Sequence, residues 1–123
     1  MNVSLSLPWP PSLNHYYRHV GPRVLISKEG RRYRERVAEI SRRANNATFA
    51  CPVQVELELY PPDARRRDID NSEKSLLDAL TCAGVYEDDS LIHKITVTKH
   101  PPLPPDGMAV IRISDYEQHT TAD

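Results

Sequence analysis

Residues Arg65-Arg66-Arg67-Asp68-Ile69-Asp70-Asn71 set three cations directly before two carboxylates. Guanidinium groups grip a phosphate backbone, and paired carboxylate oxygens hold hard divalent cations. Together they suit phosphodiester hydrolysis, in which a metal activates water and stabilises the leaving oxygen. In extended backbone Asp68 and Asp70 point to the same side, so both face one metal or metal pair. Mg²⁺ would complete its octahedron with water and substrate phosphate. A plainer reading stands beside this one: Asp70 or Asn71 caps a helix that begins here. The Asp-x-Asp pair alone does not separate the two.

Lys74 follows Asp70 by one helical turn and Asp78 follows Lys74 by another, giving one charged stripe opposite Leu76, Leu77 and Leu80. A lysine beside metal-binding carboxylates stabilises charge developing at a scissile phosphate. The alternative is an exposed ion pair worth roughly 0.3–0.5 kcal/mol. Asp88 and Asp89 are a second source of carboxylates, in an acidic turn that either returns towards this helix or is simply solvated. Arg65, Arg66 and Arg67 either contact phosphates flanking the scissile one or compensate the nearby carboxylates. His15, His19, His93, His100 and His119 have no metal-ligand spacing and no evident nucleophile partner.

These residues need elements to hold them. Residues 2–7 alternate as a short strand, stopped by the proline-rich run from Pro8 to Pro11. Asn14–His19 reads as a polar-aromatic loop and Arg23–Ile26 as a second short strand. Ser27 then caps a helix reaching about Asn46, with Tyr33, Val37, Ile40 and Ala44 on its buried stripe. Its outer face carries Arg31, Arg32, Arg34, Arg36, Arg42 and Arg43, either solvated beside Glu29, Glu35 and Glu39 or set against phosphates. Val53–Tyr60 alternates as a strand. A helix follows from about Asn71 to Ala83, ended by Gly84. Leu91–Lys99, with Ile95 and Val97 inward, and Met108–Ser114 complete the strands. The order β(β)αβαββ predicts an α/β (α+β-like) fold: a small mixed β-sheet with two main helices. Residues 1–115 form one domain and 116–123 a polar tail.

Bulk composition narrows the class. Charged residues make 27% of the chain, and no apolar run approaches the roughly 20 residues that span a bilayer. The N-terminus lacks a secretory pattern, so a cytoplasmic setting is expected. Cys51 and Cys82 are isolated and predict two buried thiols rather than a disulfide or zinc site. Net charge is −1, yet residues 1–67 hold 12 Lys/Arg against 6 Asp/Glu, while residues 68–123 hold 4 against 11. That segregation excludes a uniformly basic nucleic-acid binder and leaves a basic surface beside an acidic pocket. A carboxylate-rich pocket needs metal ions to accept a polyanion.

The chain resembles the RusA endodeoxyribonucleases, which resolve Holliday junctions. The resemblance is carried by Leu7-Pro8-Trp9-Pro10-Pro11-Ser12, Tyr16-Tyr17-Arg18-His19, Gly30 and Tyr33-Arg34. It continues through Arg65–Asn71, Lys74, Asp78-Ala79-Leu80-Thr81, Ala83-Gly84 and Asp88-Asp89. It implies a homodimer with a mixed sheet and helices that cuts four-way DNA junctions. The implied reaction is metal-dependent, usually with Mg²⁺, with Mn²⁺ as a substitute. The family's catalytic and metal-binding acids fall on Asp68, Asp70 and Asp89, its essential lysine on Lys74, and the arginine before the first acid on Arg67. Arg65, Arg66, Arg31 and Arg32 are the further DNA-binding candidates. The family is common in phages and prophages, which implies a bacterial host cytoplasm. Two other readings stay open. A non-catalytic DNA-binding module would use the arginine face and leave the acids without a task. A metal-dependent nuclease for other branched DNA would share the site and differ in substrate shape.

Overall fold

The computed structural model describes residues 2–44 and 47–117. Along the chain run β1 (Asn2–Leu7), α1 (Leu13–Tyr16), β2 (Tyr17–Val20), β3 (Arg23–Ile26), α2 (Lys28–Arg43) and β4 (Val53–Tyr60). α3 (Ile69–Cys82), a 3₁₀ turn (Asp89–Leu91), β5 (Ile92–Lys99) and β6 (Met108–Asp115) complete it. The fold is mixed α/β, with a small sheet and three helices. Its four-stranded sheet has the order β1-β6-β4-β5. β6 pairs antiparallel with both β1 and β4, and β4 pairs parallel with β5. A parallel pair needs a crossover, and α3 supplies it.

Period-two alternation gives the sheet one apolar face. Leu5, Ile111 and Leu57 lie in register across three strands, and each is buried. The helices cover this face with Tyr33 and Val37 from α2 and Leu76, Ala79 and Leu80 from α3. β5 is an edge strand. Val97 is partly buried. Ile95, in register with the buried Val55, faces the apolar side as expected yet is 40% exposed, at an open groove beside Lys74, Leu77 and Thr81 of α3.

The structure corrects several expectations. Asn14–His19 is not a loop. The Ser12 carbonyl accepts from the amides of His15 and Tyr16 and closes one helical turn, and β2 then pairs with β3 as a separate hairpin. α2 begins as expected, since the Ser27 hydroxyl accepts from the Gly30 amide at 2.9 Å. It ends at Arg43, and the expected extension to Asn46 falls partly outside the described residues. Its buried stripe uses Ser41 in place of Ala44, which is exposed. Cys51 and Cys82 are exposed free thiols, not buried ones. The polar tail lies outside the described residues beyond Glu117.

Candidate active site

The arginine run sits at the carboxyl end of β4, where ligands bind in open α/β sheets. Asp63 organises it. Its carboxylate accepts from the Arg65 amide at 3.0 Å and from Arg67 Nη1 at 2.7 Å. These bonds, led by that to Arg67, hold the Asp63 carboxyl down at about 2. The charge compensation for Arg67 is therefore Asp63 rather than Asp68 or Asp70. The Arg67 guanidinium also stands 6.0 Å from the Trp9 ring centroid, and Lys99 Nζ lies 3.5 Å from the Arg67 carbonyl. The three arginines, Asp68 and Asn71 line an open groove of about 840 Å³ with Trp9, Pro10, Pro11, Ser12 and His15. Arg65 and Arg66 are exposed.

Asp68 is the N-cap residue of α3, with φ −86° and ψ 130°, and its side chain makes no capping hydrogen bond. Asp70 and Asn71 are already helical. The expected cap at Asn71 is thus one turn too late, because the helix starts two residues earlier at Ile69. The extended-backbone argument for Asp68 and Asp70 fails for the same reason. Both acids are nevertheless exposed at the head of α3, where the helix dipole favours anions. Glu73 joins them. Burial first, and then the Asp70 charge, push its carboxyl up. Lys74 is exposed and forms no ion pair among the described residues.

Asp78 does not sit on a free charged stripe. It accepts from Arg34 Nη2 at 2.8 Å and Nε at 3.0 Å, and from the Tyr16 hydroxyl. Arg34 is accordingly turned inward, away from the outer face of α2 on which its spacing put it. Arg31 and Arg32 do remain exposed there, while Arg36 and Arg43 pair with Glu39.

The acidic turn does return along α3. Gly84, at φ +75°, ends the helix in the left-handed region and reverses the chain. Val85 and Tyr86 are then buried, and the Tyr86 hydroxyl donates to the Leu77 carbonyl at 3.2 Å. Buried Phe49 clamps the same segment, its carbonyl accepting from the Glu87 amide and its amide donating to the Val85 carbonyl. Asp88 caps the 3₁₀ turn by accepting from the Ser90 amide at 3.1 Å. Hydrogen bonding from the Ser90 side chain first, and from its amide second, lowers the Asp88 pKa. Asp89 is left facing a groove of about 370 Å³ that it shares with Lys74, Asp78, Thr81 and Ile95.

Two neighbouring surfaces therefore carry the predicted residues. Asp68 lines the arginine groove, Lys74 and Asp89 line the second, and Asp70 lines neither, standing one helical turn before Lys74 on α3. Hard carboxylate oxygens are the right donors for Mg²⁺. The chain does not gather them into a site, since no three His, Cys, Asp or Glu side chains form a metal-holding group among the described residues. Glu73 could have been found from spacing, as it stands three residues after Asp70 on α3; Asp63 and Arg67 meet in non-helical backbone, where that spacing carries no signal. Tyr16 enters the sequence reading only through the family resemblance, and no spacing announces its bond to Asp78, which lies far along the chain; nothing in the sequence marks Tyr86 or Lys99.

Comparison with known proteins decides the family. The family described as Endodeoxyribonuclease RusA matches residues 8–113. The chain belongs to the RusA family. It is 46% identical over 99 residues to the crossover junction endodeoxyribonuclease RusA of Escherichia coli K12, covering 80% of this chain and 82% of that one. The Shigella sonnei protein of the same name matches to the same extent. The crossover junction endodeoxyribonuclease of Enterobacteria phage 82 is 46% identical over 98 residues, 79% of this chain and 82% of its own. Both the resemblance to RusA proteins and the expectation of an enzyme, a crossover junction endodeoxyribonuclease, are borne out. The matched span holds both grooves, from Trp9 to Ile95.

Proposed function

We propose that this RusA-family chain resolves four-way DNA junctions by hydrolysing one phosphodiester in each of two symmetry-related strands. The observation that carries the reading is the groove shared by Lys74 and Asp89, set one turn beyond Asp70 on the helix that Asp68 opens. Acids alone would repel DNA. Here they adjoin Arg65, Arg66 and Arg67, which match the phosphates flanking a scissile bond. Asp63 fixes the Arg67 fork so that less side-chain freedom is lost on binding. Lys74 offers an uncommitted ammonium to the charge that grows on the phosphate oxygens. Arg31 and Arg32 extend the cationic surface along α2.

The catalytic acids proposed are Asp68, Asp70 and Asp89, and the cofactor Mg²⁺, with Mn²⁺ as a substitute. A bound cation would supply activation of water and charge for the leaving oxygen. Asp68 lines one groove, Asp89 the other and Asp70 neither, so a complete site requires them to be drawn closer. Asp88 is spent as a cap. Residues 1–115 act as one nuclease domain. Two copies would present two sites to the two strands of a junction. No helix of the described residues is long and apolar enough to cross a membrane. The proposed setting is a bacterial host cytoplasm, with a phage or prophage as the source.

The test compares labelled four-way junction, linear duplex and single-stranded DNA, with Mg²⁺ and with EDTA. Paired symmetric nicks in the junction alone, lost in EDTA, are expected. With a labelled flap added as a fourth substrate, equal cutting of flap and junction would favour the broader branched-DNA nuclease. Salt-sensitive binding without any cutting would favour the non-catalytic module.

A further inference from the structure

The β2–β3 hairpin is not absorbed by the chemistry described so far. It is a two-stranded sheet of its own, paired only with itself and separate from the main sheet. Four residues per strand carry its tip roughly 13 Å from its base. Gly21, at φ +60°, and Pro22 make the two-residue turn. The tip is apolar, with Val20 46% and Val24 59% exposed, the two most exposed of the large hydrophobic residues beside Leu103. Register places Val20 and Val24 on opposite faces. Val20 shares one face with Arg18 and Arg23, and Val24 shares the other with His19.

The base of the hairpin is held firmly and in a telling place. The Tyr16 carbonyl accepts from the Ser27 amide and hydroxyl, both at 2.9 Å, and closes it. Tyr17 packs edge-on against Tyr16 at 4.8 Å between ring centroids. Tyr16 is bonded to Asp78, which lines the Lys74–Asp89 groove. The hairpin thus rises from the wall of the candidate active site. Its charge identifies its partner. No Asp or Glu occurs from residue 2 to residue 28, whereas Arg18, Arg23 and Lys28 do. A polyanion complements that surface, while a second copy of the hairpin would bring like charges together.

We propose that the hairpin reads the branch point of the DNA, with Val20 and Val24 laid against base pairs left without a stacking neighbour there. Arg18 and Arg23 hold the adjoining phosphates. Apolar wedges flanked by cations unstack base steps, and at a branch point, where stacking is already interrupted, less unstacking energy is required than in uninterrupted duplex. This rests on the junction-resolving function proposed above and adds the element that selects branched over linear DNA.

The test uses the full chain, wild type beside Val20→Ser/Val24→Ser and Arg18→Gln/Arg23→Gln. Binding to four-way junction and to linear duplex is measured in EDTA, with 2-aminopurine at the branch point reporting unstacking. Wild type should prefer the junction and brighten the probe. The valine variant should lose about tenfold in junction preference and lose the brightening, with duplex affinity within about twofold. The arginine variant, which keeps the apolar tip, should bind more weakly with a shallower salt dependence. It carries the test if the valine variant does not fold. Retained preference and brightening in the valine variant, or unchanged affinity and salt dependence in the arginine variant, would overturn the hairpin assignment while leaving the nuclease reading intact. A shift to monomer in light scattering would make the hairpin an interface between copies and overturn it too. A wild type that neither prefers nor cuts the junction would remove both readings.

Discussion

Arg34 reaches across from α2 to place Nη2 2.8 Å and Nε 3.0 Å from one carboxylate oxygen of Asp78 on α3. This pair joins the two main helices and, through the Tyr16 hydroxyl, the base of the hairpin. It also commits Asp78 away from Lys74, its neighbour one turn earlier. The inward pair thereby keeps the lysine available to a substrate.

Replacing Arg34 by Met should cost stability, because Asp78 would keep its partial burial and lose its charged partner. The expected loss is about 1–3 kcal/mol, read from denaturant unfolding. The double variant with Asp78→Asn should cost less than the two single losses combined. Additive losses would show that the pair is not coupled.

Lys74→Ala should reduce junction cleavage by about a hundredfold or more while leaving the fold unchanged, since the side chain is exposed. Junction affinity in EDTA should change only severalfold. Single-turnover cleavage separates these quantities. A binding defect as large as the rate defect would make Lys74 a backbone contact rather than a charge stabiliser.

Asp63 gives a pH prediction. Its folded pKa of about 2 lies below the ordinary value of 3.8, so the group stabilises the fold. That contribution is complete above 3.8 and is lost as pH falls through about 2. In Asp63→Asn the melting temperature should fall less steeply over this window than in wild type. The variant should also free Arg67 and weaken junction binding at neutral pH. An unchanged acid limb would mean that the pair with Arg67 is not formed in solution.

Gly30 is a packing test. A Cβ there would collide with the Tyr16 carbonyl and meet Ile26 Cγ1 at 2.9 Å, both at the hairpin base. Gly30→Ala should therefore cost about 1–3 kcal/mol despite alanine's better helix propensity. Thermal melting reads the outcome, and a stabilised variant would contradict the close approach of helix and hairpin.

Local patterns made much of this fold legible. Alternation located β1, β4 and β6, and Ser27 and Gly84 marked a helix start and a helix end. What escaped depended on distant partners. Arg34 looked like surface charge because its partner is 44 residues away. Asn14–His19 looked like a loop because its single helical turn is too short to show a periodicity, and the Tyr16 side chain is anchored by distant Asp78. Ile95 does face inward, yet alternation gives a face but not whether a helix covers it. The run from Arg65 to Asn71 identified the right region and misjudged its geometry, as the helix begins at Ile69 and not at Asn71. The approach of Asp89 to Lys74 depends on Tyr86 and Phe49, and no spacing rule reports that contact.

Cleavage of a labelled four-way junction by Asp70→Asn, with binding measured on the same preparation, bears most directly on the proposed site. Removing one negative charge from the head of α3 should abolish the paired nicks seen with wild type in Mg²⁺ and leave junction binding intact or tighter. Full cleavage by this variant would contradict a catalytic role for the carboxylates that follow the three arginines.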